Sequence, residues 1–106
     1  VKTNATKVFQ ALGDPTRRRL FEKLARGPLA VVDLSVGARV SRPAVSQHLR
    51  ILKRAGLLSM RRVGTKHYYQ VEQAGVRAMR DYLDQFWGTA LEAFKQHAEQ
   101  PENTKP

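Results

Sequence analysis

Gln47, Arg50 and Arg54 are separated by three and then four residues, so on a helix they share one ridge. An amide and two guanidinium groups on one ridge carry the donors and acceptors that read base edges. Glutamine pairs with adenine, and arginine contacts guanine or a phosphate. Ser41, Arg42, Ala44 and Ser46 sit at or near the amino end of the same segment. Free backbone N–H groups there also favour a phosphate. Further along, Arg61, Arg62, Lys66 and His67 bracket Gly64-Thr65, so a second cationic group surrounds a turn. The chemistry these side chains suit is polyanion recognition.

Charge is segregated in the same way. Between Leu34 and Val71 there is no Asp or Glu, and this stretch supplies +8 of the net +10. Val1–Asp33 contributes +4 and Glu72–Pro106 contributes −2. A solvated surface normally mixes both signs. A surface that neutralises phosphates does not, because each contact gains by releasing condensed counterions.

Constellations for catalysis are absent from the sequence, which is read as a non-enzyme. The central region lacks acids, so it offers no carboxylate pair. Ser46 and His48 stand two apart and diverge on a helix. No Gly-rich phosphate loop occurs. The absence of cysteine excludes disulfides and thiolate metal ligands. With 42% hydrophobic residues in 106, the chain has the composition of one folded domain with a modest core. No apolar run approaches the roughly 20 residues of a membrane span, and nothing reads as a signal peptide. A cytoplasmic location is expected.

The elements that must position these residues follow from caps and periodicity. Thr3–Leu12 reads as a helix ended by Gly13. Asp14-Pro15 opens a second, with Asp as N-cap and Pro at the first helical position, running to about Arg26 before Gly27-Pro28. A third short helix fits Ala30–Val36. Ser41 caps a fourth, which reaches Ala55 and stops at Gly56; Val45, Leu49 and Leu52 form its inner face, opposite Gln47, Arg50 and Arg54. Leu57–Val63 and Lys66–Val71 read as a two-stranded hairpin around Gly64-Thr65. Its predicted register pairs Leu58 with Val71, Met60 with Tyr69 and Arg62 with His67. Gln73–Ala98 reads as one long helix with a wide apolar stripe that includes Leu83, Phe86, Trp87, Leu91 and Phe94. The fold class is therefore mainly α (α+β): about five helices and a hairpin in one domain, residues 1–98, followed by a flexible tail, residues 99–106.

Three motifs in order resemble the ArsR family of bacterial winged-helix repressors. They are Phe9-Gln-Ala-Leu-Gly-Asp-Pro-Thr-Arg17, Ser41-Arg-Pro-Ala-Val-Ser-Gln-His-Leu49 and Leu52-Lys-Arg-Ala-Gly-Leu57. Arg61–Tyr69 looks like the family's wing. The resemblance covers roughly Thr6–Phe94. It implies a winged helix-turn-helix homodimer that binds a palindromic operator in double-stranded DNA and represses transcription. It also implies that the first and last helices form the dimer interface, here Val8, Phe9, Leu83, Phe86, Trp87, Leu91 and Phe94. The width of the last helix's apolar stripe supports that independently, since it exceeds what one small core needs.

The sequence departs from the family where many members sense metals. Their Cys-Val-Cys-Asp-Leu motif is here Ala30-Val31-Val32-Asp33-Leu34. A second ligand set, Asp-x-His with His-x-x-His/Glu, is matched only by Asp84-Gln85-Phe86 and His97-Ala98-Glu99-Gln100. No metal or cofactor is expected, and the effector stays open among a small molecule, a partner protein or none. His48 is expected to pack or hydrogen-bond, His67 to lie at the DNA or in solvent, and His97 to be exposed. The alternative readings are a non-specific architectural DNA-binding protein and, behind it, a protein-binding winged helix.

Overall fold

The computed structural model describes residues 4–98. The start expected at Thr3 and the tail from residue 99 lie outside them. Five helices and a small antiparallel sheet make the fold, in the order α1 (Ala5–Leu12), α2 (Pro15–Leu24), β1 (Leu29–Ala30), α3 (Val31–Leu34), α4 (Arg42–Arg54), β2 (Leu58–Val63), β3 (Lys66–Val71) and α5 (Gln73–Ala98).

Capping chemistry sets the boundaries. Asn4 accepts from the Lys7 N–H at 2.9 Å to open α1, and Asp14 accepts from the Arg17 N–H at 3.0 Å to open α2. At the end of α4, the Leu57 N–H bonds to the Leu52 carbonyl and the Gly56 N–H to the Lys53 carbonyl, both at 3.0 Å. That pair is a Schellman motif, which requires the left-handed backbone that Gly56 adopts at φ 86°. The Gly56 carbonyl then accepts from the Gly75 N–H at 2.9 Å, which seats the start of α5 against this turn.

The core gathers Val8, Leu20, Leu24, Leu34, Val45, Leu49, Leu52, Leu57 and Leu58 with Tyr69. α4 inserts its Val45–Leu49–Leu52 face into this centre, and Val76 and Met79 of α5 pack at its edge. The β2–β3 register is the predicted one: Leu58 with Val71, Met60 with Tyr69, Arg62 with His67. Gly64 has φ 62° while no other residue type adopts positive φ among the described residues, so Gly64-Thr65 makes the Gly-first hairpin turn.

Two features differ from the sequence reading. The sheet has three strands rather than two, in the order β1-β3-β2, because Leu29 and Ala30 pair with Tyr69 and Tyr68. Ala30, expected in the third helix, is thus an extended residue preceding it. α3 also stops at Leu34 rather than Val36. Ser35 Oγ turns back onto the Val31 carbonyl at 2.8 Å, and the chain moves into the turn at Gly37.

Candidate nucleic-acid interface

The interface is built on α4. Ser41 is its N-cap, its Oγ accepting from the Ala44 N–H at 3.3 Å. With Val45, Leu49 and Leu52 completely buried, the 3.6-residue period turns Gln47, Arg50 and Arg54 outward, and all three are exposed. Arg50 Nη2 donates to Gln47 Oε1 at 3.3 Å, so the two side chains stand together on the outer ridge. Arg42 is exposed at the amino end, while Ala44 and Ser46 are half-buried. Ser46 belongs to the flank facing the hairpin. It lines a cleft of about 220 Å³ with Arg42, Val32, Thr65, Lys66 and His67.

That cleft joins the two cationic groups. The hairpin tip folds toward the amino end of α4, with Arg61, Arg62, Lys66 and His67 all exposed. Arg62 Nε donates to the Gly64 carbonyl at 3.2 Å, holding its side chain along the turn. The sequence has no acid from Leu34 to Val71, so no carboxylate on these elements competes for the cations.

On the inner side of α4, His48 is half-buried, with Nδ1 at 3.4 Å from Arg17 Nη1 and 4.0 Å from Asp14 Oδ2. Arg17 also donates through Nε to the Ala11 carbonyl at 2.6 Å, at the carboxyl end of α1. One guanidinium thus touches α1 and α4 from α2, a role the sequence reading missed. Its signal was available: a cation three residues after an N-cap Asp, just beyond the end of a preceding helix, lies near that helix's unpaired carbonyls. The Asp14 carboxyl is held below its ordinary value chiefly by the Arg17 N–H bond. Desolvation opposes this, and the positive charge of Arg17 reinforces it.

The residues expected at a dimer interface divide. Val8 is fully buried in its own protomer, because α1 turns it into the core between Ala11 and α4, so it reaches no surface. Phe9, Leu83, Phe86, Trp87, Leu91 and Phe94 remain exposed, Trp87 at 56% and Phe94 at 71%. Phe9 packs edge-on against Tyr82 at 5.4 Å, and Phe86 against Trp87 at 5.7 Å, so two aromatic pairs stand along α1 and α5. Asp84 and His97 are both exposed on α5; Glu99 and Gln100 lie outside the described residues. Among the described residues, no three His, Cys, Asp or Glu side chains gather as a metal-ion site, and no helix is long and apolar enough to cross a membrane.

A helix that turns its polar ridge outward beside a basic hairpin, both on an acid-free surface, defines a winged helix-turn-helix DNA-binding domain. The family described as "Bacterial regulatory protein, arsR family" matches residues 14–59. The HTH-type transcriptional regulator Rv2034 of Mycobacterium tuberculosis is 50% identical over 90 residues, covering 85% of this chain and 84% of that protein. A transcriptional repressor SmtB homolog of Synechocystis is 43% identical over 81 residues, 73% of this chain and 61% of that one. The solution structure of a homodimeric winged helix-turn-helix DNA-binding domain, Mb0332 from Mycobacterium bovis, is 29% identical. It superposes with a TM-score of 0.62 over 87% of this chain and 82% of that one. The chain belongs to the ArsR family of DNA-binding transcriptional regulators and is not an enzyme.

Proposed function

We propose that the protein is a homodimeric repressor that occupies a palindromic operator. The observation that carries this reading is the exposed Gln47–Arg50 pair on the outer ridge of a helix whose opposite face is completely buried. In this account the amino-terminal half of α4 enters the major groove. Gln47 reads adenine, Arg50 or Arg54 reads guanine or grips phosphate, and Ser41, Arg42, Ala44 and Ser46 lie against the groove wall. Arg61, Arg62, Lys66 and His67 hold the neighbouring backbone. Phe9 and the Leu83–Phe94 surface meet their counterparts on a second copy, as the homodimeric likeness from M. bovis suggests. Two-fold symmetry then sets two reading helices about one duplex turn, ~34 Å, apart. Repression follows from occupancy of the DNA, in keeping with the repressor name of the Synechocystis relative. No cofactor takes part.

Footprinting on the DNA upstream of the protein's own gene tests the proposal. The expected result is one discrete protected stretch with two half-sites a turn apart. Uniform coating without a preferred site would support the architectural reading instead.

A further inference from the structure

A second cleft, of about 330 Å³, opens on the other flank of α4, between its carboxyl-terminal half and α1. Three cations line it, each from a different helix: Lys7 of α1, Arg17 of α2 and Arg54 of α4. Among the described residues, none of them has a carboxylate within ion-pair distance, and no acid lines the cleft. Between them Ala11 and Ala55, both buried, and half-buried Ile51 make an apolar floor. Arg17 is pinned there by the Ala11 carbonyl and lies beside His48, while Lys7 and Arg54 are exposed. The size falls at the lower end of small-molecule sites, roughly 300–1,000 Å³, and the lining follows their pattern of an apolar bed with a few convergent polar groups.

We propose that this cleft binds a small organic anion, a carboxylate carried on an aromatic or aliphatic body, and that the ligand acts as an effector. The carboxylate takes charge-assisted hydrogen bonds from Lys7, Arg17 and Arg54, and its hydrocarbon part covers Ile51 and the two alanines. A backbone phosphate of DNA would find the same cations but has no apolar body for the floor. Binding ties α1 to α4 and engages Arg54, so the anion and the operator compete for one side chain. The binding stands independently of the proposed function; the regulatory role rests on it.

The test is amide NMR on the full chain without DNA, using benzoate as probe and sulfate as an anion lacking an apolar body. Benzoate should give saturable shifts centred on Lys7, Gln10, Arg17, Ile51 and Ala55, and sulfate should bind at least about tenfold more weakly. Lys7→Gln, an exposed position, should weaken benzoate by about fivefold or more, one lost charge-assisted contact. Non-saturating shifts, equal response to sulfate, or shifts centred on residues 61–67 would overturn the site. In operator binding without benzoate, Lys7→Gln should leave the salt slope unchanged. A slope flatter by about one would make the cleft a DNA phosphate contact and refute the small-molecule site. Saturating benzoate should lower operator affinity. Unchanged affinity, with benzoate in the cleft, would overturn the effector role alone.

Discussion

α4 and α5 are both amphipathic, but they finish folding in opposite conditions. α4 buries Val45, Leu49 and Leu52 completely within the protomer, and every charged side chain it exposes, Arg42, Arg50, Lys53 and Arg54, is a cation. α5 runs for 26 residues and buries only Gly75, leaving Leu83, Phe86, Trp87, Leu91 and Phe94 exposed. The apolar face of the first is satisfied inside the chain, which leaves its polar, cationic back free for the proposed contact with DNA. On α5 the apolar face itself is unsatisfied. Its partner must be apolar too, and a second copy of the same surface meets that requirement by symmetry. Each large side chain fully covered there contributes about 1.5–3 kcal/mol, so a few suffice for a stable pair.

Breaking the α5 side should give the largest effect. Trp87→Asp places a charge among the exposed apolar side chains of α5 and should cost more than about 2 kcal/mol of dimer affinity. Sedimentation should then show folded monomers, since Trp87 supports no core packing. A persistent dimer would locate the interface elsewhere. Gly75→Ala attacks the joint between the two helices. A Cβ there would stand 2.5 Å from the Gly56 carbonyl oxygen and 2.7 Å from its carbon, backbone atoms that cannot step aside. The expected loss is about 1–3 kcal/mol of stability, read as a fall in Tm; an unchanged Tm would contradict the close approach.

Asp14→Ala removes the N-cap of α2 and should cost about 1 kcal/mol. The pH dependence has a defined sign. The folded carboxyl titrates below its ordinary value of 3.8, so its contribution is complete above that value and fades as pH falls through the folded one. The gap between wild type and Asp14→Ala should therefore be constant at neutral pH and close in acid. A gap that widens in acid would reverse the assignment. On the α4 side, Arg62→Ala should weaken all DNA similarly and flatten the salt slope by about one. An unchanged slope would remove the hairpin tip from the backbone.

Local chemistry was legible in the sequence. Asp14-Pro15, Ser41 and Gly56 mark helix ends by caps that act within a few residues, and the hairpin register follows from a two-residue turn with alternating side chains. What escaped depends on distant partners. β1 has two residues, too short for any periodicity, and exists only because β3 supplies Tyr68 and Tyr69. Val8 has the same spacing signal as Phe9, yet α1 turns one into the core and the other outward. Gly75 reads as an ordinary helix glycine until Gly56 is brought against it. The outward placement of Gln47, Arg50 and Arg54 was legible because α4's inner face is so clearly apolar. The second cleft was not, since it needs three helices assembled; Arg17 carried a local signal at the end of α1, but its contact with His48 depends on α4 being in place.

In the proposed complex α4 reads sequence while the surrounding cations supply general affinity. The most direct measurement is the affinity of Gln47→Ala for the footprinted operator and for random duplex DNA at one salt concentration. The expected result is a loss of about 1–3 kcal/mol on the operator and almost none on random DNA. Equal losses on both would take Gln47 off the reading face and leave α4 as one more positively charged surface.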